Sequence, residues 1–318
     1  MRRKGFEKRN HIDNKIIFQH ISKGVTSVPV PIKEKVMKLN IKRVVLGVVS
    51  VVSMVSSLAV HAEGGTIADI KARAQLTVGT EAAYEPYEFV LDGKVTGYGR
   101  DILALMAAKL DVKLNQMNLP FQGLLPGLMS HKFDMVATSV GINAQRAQRF
   151  LFTRPIGVVN SVILVRADDT AIKSPDDLSN AIMGTQLGSS SIPVADAFNA
   201  KLKAAGKSGY ADMKLFTAYP DVVSALENKA VTAAVIPSNI AAVQIKANPG
   251  KFKEAGIIGE PKVLAWVINP DDKEILEFVN STLDELAKDG TLAKLQTKWF
   301  GAPLNLPTTD YLPEGALR

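Results

Sequence analysis

From Leu76 to the C-terminus the chain alternates short apolar runs of strand length with longer stretches whose apolar residues recur at helical spacing. That alternation places it in the α/β class. Leu76-Thr77-Val78-Gly79 has the length and composition of a buried strand entering a loop. Ile102, Leu105, Met106 and Leu110 then follow a helical repeat, with Asp101 suited to the first turn. Residues 133–136, 162–165 and 263–268 read as further strands, and 218–228 and 273–298 contain helices. No low-complexity block or clear repeat interrupts the pattern. The 318 residues, 47% of them hydrophobic, suffice for one or two domains after processing.

The formal charge of +7 would ordinarily point to nucleic acid or an anionic membrane. It is unevenly spread. Residues 1–62 hold 12 Lys and Arg against 3 Asp and Glu, leaving 26 basic and 28 acidic residues in the remainder. A mature chain of net charge −2 without a basic stripe has little attraction for phosphate, so no nucleic-acid partner is expected. The N-terminal segment has the layout of an export signal: Lys38, Lys42 and Arg43 precede an uncharged run over 44–60, followed by Val60-His61-Ala62. Cleavage after Ala62 is expected. The competing reading is a membrane anchor, which Ser50, Ser53, Ser56 and Ser57 disfavour by diluting the run. Met37 begins a signal of ordinary length and is expected to be the working initiator.

Missing residues exclude several chemistries. The chain has no cysteine, so neither a disulfide nor an N-terminal lipid on cysteine is available. Of four histidines only His131 follows the expected cut. Zinc sites of Cys and His and nucleophilic triads therefore cannot be assembled, except around His131. That residue closes an apolar helical run over 124–129 and reads as a solvated helix end. There is no phosphate loop, no calcium loop of DxDxDG type and no H-E-x-x-H. No cofactor or metal is expected.

Four motifs occur in order. The first is Gly79-Thr80-Glu81-Ala82-Ala83-Tyr84-Glu85-Pro86-Tyr87-Glu88-Phe89 and the second Phe121-Gln122-Gly123-Leu124-Leu125-Pro126-Gly127-Leu128 with Lys132-Phe133-Asp134. Arg146 followed by Phe152-Thr153-Arg154-Pro155 is the third, and Lys288-Asp289-Gly290-Thr291 running to Lys298-Trp299-Phe300-Gly301 the fourth. Together they resemble the family 3 bacterial extracellular solute-binding proteins, the periplasmic polar-amino-acid-binding group. The resemblance implies a two-lobe, type II periplasmic-binding-protein fold, its lobes joined by a two-strand hinge. Lobe 1 is then residues 63–162 plus 263–318, and lobe 2 residues 166–260. It implies a monomeric, periplasmic, non-enzymatic component of an ABC importer, delivering solute to membrane permease subunits that recognise the closed form.

The same resemblance implies the site. Arg146 stands where the family's carboxylate-binding arginine stands, and a guanidinium offers a planar fork that matches a carboxylate. Thr138, Ser139 and Gly141 precede it with hydroxyl and backbone donors. Gln186 and then Gly188-Ser189-Ser190-Ser191 lie opposite, where a helix opens; its unpaired N–H groups suit an anion, and Ser189 and Ser190 are the residues concerned. Tyr84, Tyr87 and Phe121 supply aromatic walls, for which core packing is the competing account. Trp299 is assigned to packing of the last helix.

One position departs from the family. Where members that bind α-amino acids carry an ammonium-binding Asp, this chain has Pro237, which offers neither carboxylate nor N–H. Glu81 is the nearest substitute. Two solutes follow: a polar amino acid whose ammonium meets Glu81, or a derivative such as an opine, in which the amine is substituted or absent. Two other functions are compatible with the scaffold, an exported cyclohexadienyl-dehydratase-like enzyme with Glu81 as acid and a ligand-sensing module.

Overall fold

The computed structural model describes residues 65–318; the expected cut after Ala62, the apolar run and Met37 lie outside the described residues. Helix α1 (Ile67–Ala72) is one and a half turns long and depends on its cap: the Thr66 hydroxyl accepts from the Asp69 N–H while the Asp69 carboxylate accepts from the Thr66 N–H. It leads into β1 (Gln75–Thr80), whose last five residues are all buried. A small antiparallel sheet of β2 (Ala83–Tyr84), β3 (Glu88–Leu91) and β4 (Lys94–Thr96) follows. Helix α2 (Tyr98–Leu110) then returns the chain to β5 (Lys113–Asn118), parallel to β1. The apolar stripe of α2 runs through Ile102, Leu103, Met106 and Leu110; Leu105, expected to face inward, is 37% exposed, and Leu103 takes its place.

Next come α3 (Phe121–Met129), β6 (Met135–Gly141), the single turn α4 (Ala144–Ala147) and the short β7 (Leu151–Phe152). Strand β8 (Gly157–Arg166) carries the chain into a second α/β set. That set comprises β9 (Ile182–Gln186), α5 (Ser191–Ala204), β10 (Asp212–Phe216), α6 (Tyr219–Glu227), β11 (Ala233–Pro237) and α7 (Ser238–Ala247). The return is β12 (Phe252–Ile268), much longer than the expected strand over 263–268, before α8 (Lys273–Lys288) and α9 (Thr291–Phe300).

The large sheet has the order β10-β9-β11-β8-β12-β6-β1-β5, with β7 also on β12. Pairing is parallel among β10, β9 and β11 and among β6, β1 and β5. Between these two groups lie β8 and β12, antiparallel to each other, with register shifts between Glu254 and Gly256 and again between Ile258 and Lys262. Two parallel halves are thus joined by two long crossing strands, which is the two-lobe hinge architecture. Pro261 falls inside the second shift, where a missing N–H costs no ladder bond.

Each half has its own apolar packing. Val194, Ala195 and Leu202 of α5 close on Ile163, Met183 and Val235 of the sheet. Phe121, Leu124 and Leu128 of α3 close on Phe133, Val136, Ala265 and Val267. Burial of these side chains, at roughly 1.5–3 kcal/mol each, is what holds the helices against the sheet. His131 differs from the expected solvated helix end: it takes a left-handed φ of 50° just past α3, with Nε2 3.3 Å from Asn269 and Nδ1 3.6 Å from Asp272. Trp299 does pack, ring edge to face against Phe89, and its indole N–H donates to Asp101.

Candidate functional site

In open α/β sheets, loops at the carboxyl ends of parallel strands converge where the strand order changes, and solutes bind there. Here the carboxyl ends of β1 and β6 face that of β9. Glu81 follows β1 directly; Thr138, Ser139 and Gly141 are the last residues of β6; Gln186 ends β9. Arg146 sits on α4, Phe121 at the start of α3, and Ser189 and Ser190 lead into α5. With Tyr84, Tyr219 and Leu264 these residues line one cavity.

The cavity is closed down to about 20 Å³, on the order of one water's room. Bonds cross it. Arg146 donates to the Gly141 carbonyl at 2.8 Å on its own half and to the Gly188 carbonyl at 2.6 Å on the other. Gln186 Nε2 donates to Glu81 Oε1 at 2.5 Å and to the Thr217 carbonyl at 3.1 Å. Tyr84 and Tyr219 face each other with ring centroids 6.0 Å apart. Gly141 touches the opposite half so closely that a Cβ there would lie 2.6 Å from Ser190 Oγ and 3.0 Å from its Cβ, and would force Ser190 to shift.

Arg146 is 9% exposed, its guanidinium carbon 5.4 Å from the Phe121 ring centroid. Both its hydrogen bonds end on carbonyls, and no ion pair to it occurs among the described residues. Burial pushes its pKa down to about 10, with the Tyr219 hydroxyl partly opposing, so it remains charged at neutral pH. A buried cation without an anionic neighbour costs several kcal/mol of lost hydration. Bringing a carboxylate to it recovers that loss.

Glu81 is the cavity's carboxylate. Burial raises its pKa to about 7, while the Gln186 amide and the Phe121 N–H oppose the rise and Asp221 adds to it. Below it lies Glu88, fully buried, its oxygens 3.1–3.3 Å from the Ser139 N–H and hydroxyl. Burial lifts Glu88 to about 8, with Ser139 the chief opposing partner. Glu88 thereby orients a cavity hydroxyl without reaching the cavity itself.

Two residues named from the sequence stand elsewhere. Tyr87 is packed behind the cavity against Tyr84, Tyr98 and Phe300, in the core rather than on the wall. Pro237 ends β11 and caps α7, opposite Ser161 of β8, and does not line the cavity. Ser190 has no side-chain capping bond, and it is Ser189 Oγ that accepts from the Ser191 N–H, at 3.3 Å. Tyr219, hydrogen-bonded to Ser191 at 3.1 Å, and Leu264 were not foreseen. The one signal for Tyr219 was its place just past a parallel strand, at the start of α6. Beyond Arg146 the cleft opens into a groove of about 900 Å³, walled by Leu125, Met129, Phe150, Leu187 and Ile192 and edged by Arg149 and Asp196. Among the described residues no cluster of His, Cys, Asp and Glu could hold a metal ion.

Two α/β halves on paired crossing strands, closed over a cavity with a lone buried cation and hydroxyl donors, define a binding protein for a small solute. The sequence profile of the bacterial extracellular solute-binding proteins, family 3, matches residues 76–302, and the chain belongs to that family. Members are exported, and the relatives carry binding-protein names. The probable amino-acid-binding protein YxeM of Bacillus subtilis is 30% identical over 233 residues, covering 73% of this chain and 86% of its own. The L-cystine-binding protein TcyJ of Escherichia coli K12 is 27% identical, covering 82% and 96%. Among solved structures, an ancestral arginine-binding protein bound to arginine is 33% identical, with TM-score 0.63 over 72% of this chain and 99% of its own. The ancestral amino acid-binding protein AncCDT-1, a precursor of cyclohexadienyl dehydratase, is 29% identical, with TM-score 0.66 over 74% and 100%.

Proposed function

We propose that the chain captures a small carboxylate-bearing solute, a polar amino acid or an amino-acid derivative, between its two lobes and presents it to the permease subunits of an ABC importer. The observation that carries this reading is Arg146, a buried guanidinium at the seam whose two hydrogen bonds among the described residues both end on neutral carbonyls. On opening, the bonds from Arg146 to Gly188 and from Gln186 to Glu81 break. An entering carboxylate takes the guanidinium, with the Ser139, Ser189 and Ser190 hydroxyls and the N–H groups opening α5 as further donors. Closure of residues 166–260 onto residues 63–162 plus 263–318 then buries it, so the closed form is favoured only by as much as solute binds it better. The chain acts as a monomer, follows cleavage near Ala62 into the periplasm, and performs no chemical step.

A thermal-shift and calorimetry panel of amino acids, opines and other small acids tests this, because a ligand stabilises with the logarithm of its concentration over Kd. Binding of an acid that Arg146→Ala abolishes is expected; a cleft occupied by a neutral or cationic molecule that ignores Arg146 refutes it.

Glu81 separates the two solute classes. In the closed, solute-free cavity burial raises its pKa to about 7, so near neutrality closure favours its protonated form. An ammonium resting on it favours the carboxylate and expels that proton, so affinity for an amine-bearing acid rises as pH climbs through 7. An acid without the amine shows no such rise. The second reading, an exported dehydratase with Glu81 as proton donor, is favoured only by the raised Glu81 pKa and the AncCDT-1 likeness. Turnover of prephenate or arogenate by the purified chain decides for it.

A further inference from the structure

The match to the family ends at residue 302, yet the segment that follows is folded onto the protein. Leu304 N–H donates to Gln296 Oε1 at 3.0 Å as the chain leaves α9. Tyr311, Leu312 and Ala316 pack on the cluster that holds Phe121, Ala147 and Phe150. Leu317 donates its N–H to the Ala147 carbonyl at 2.8 Å, and Lys273 Nζ holds the Arg318 carbonyl at 3.1 Å.

Ala147 is the last residue of α4, the turn that carries Arg146. Four residues are far too few to hold a helix unaided. At its start the turn is tied by Asn143 Oδ1, which accepts from the Arg146 N–H at 2.9 Å. At its end the tie is the Leu317 N–H. Beneath it, Ala147 and Phe150 are buried in the same cluster onto which Tyr311, Leu312 and Ala316 close. The guanidinium meanwhile has to reach the Gly141 carbonyl on its own half at 2.8 Å and the Gly188 carbonyl across the seam at 2.6 Å.

We propose that residues 303–318 form a strap that positions Arg146, with Leu317 the principal positioning residue through its backbone N–H. The strap never meets the cavity. It acts by holding α4 so that the guanidinium is presented to the solute carboxylate, since a binding fork works only when its support fixes it to a fraction of an ångström. The inference rests on the reading of Arg146 as the carboxylate partner.

Two variants test it: deletion of residues 308–318, and Leu317→Pro, which removes the single N–H while keeping an apolar side chain. Hydrogen exchange at residues 144–150 reports on α4. Calorimetry with L-arginine and L-argininamide, and with L-glutamine and L-glutaminamide, reports on recognition of the carboxylate. In both variants the exchange at α4 is expected to quicken, and the preference for acid over amide to fall by roughly tenfold, the worth of one well-placed hydrogen bond. A merely structural strap lowers the melting temperature and leaves the acid-to-amide ratio untouched. That result, or an unchanged exchange rate in Leu317→Pro, overturns the proposal. If the unaltered chain itself shows no preference for acid over amide in either pair, Arg146 is not the carboxylate partner and both readings fall.

Discussion

Replacing Arg146 with glutamine is the perturbation that separates stability from function most clearly. In the closed structure the guanidinium makes two short bonds to carbonyls and gains no compensating anion, while burial lowers its pKa to about 10. Desolvation therefore offsets much of what those bonds contribute to the fold. Glutamine retains an amide donor for one of the carbonyls and removes the buried charge. The solute-free variant is expected to melt at the same temperature as the unaltered chain or higher. Binding behaves oppositely, because a buried carboxylate that loses its charged partner costs about 2–5 kcal/mol. That range corresponds to a loss of affinity of roughly 30- to 5,000-fold. Calorimetry on the tightest acid, with thermal melts of both proteins free and saturated, supplies the two numbers. Affinity within about threefold of the unaltered chain's, on a variant still folded, refutes the electrostatic account. A solute-free variant destabilised by as much as binding is weakened refutes the claim that the arginine is kept at a cost to the fold.

Three further outcomes follow from the framework around the site. Glu88, with its pKa raised to about 8, stabilises the fold fully below the unfolded value near 4.5 and loses that contribution as pH rises through about 8; Glu88→Gln flattens this fall in denaturant midpoints between pH 5 and pH 9, and an unchanged slope counts against burial as the cause. Gly97 takes φ of 118°, and a Cβ there would stand 2.3 Å from the Tyr87 carbonyl oxygen; Gly97→Ala is expected to cost about 1–3 kcal/mol in urea unfolding. Asp134, wholly buried, accepts from the Thr77 N–H at 2.8 Å and from Arg73; Asp134→Ala leaves that N–H unsatisfied and costs about 1–3 kcal/mol, with the partly exposed Arg73 recovering some hydration.

Residues that touch their own element's surroundings were legible in the sequence. The helical repeat of Ile102, Met106 and Leu110 places them in the core, and the Gly188 to Ser191 run does open a helix. Contacts made between elements were not. Leu105 and Leu103 both fit an amphipathic stripe to within a residue, and only the position of the sheet decides that Leu103 is buried. Tyr84 and Tyr87 belong to one motif, yet one lines the cavity and the other packs on Phe300, because α9 returns from far along the chain to cover it. Glu88 is unremarkable as a letter; its raised pKa exists only because β3 and β6 bury it against Ser139.

By itself the sequence placed the chain in the α/β class, carried the family resemblance, showed that no cysteine is available, and named ten of the residues that line the cavity. The class follows from local periodicity and the exclusions from composition, while the family and the site residues follow from the resemblance that the four motifs carry, and all of these are written in linear order. Tertiary structure decided that no ion pair reaches Arg146 among the described residues, that Tyr219 completes the wall, that Pro237 stays off it, and that the segment after α9 lies against the turn bearing Arg146. Each depends on burial and on distances between segments brought together by the two crossing strands, and desolvation has no magnitude until the surroundings that exclude water are assembled.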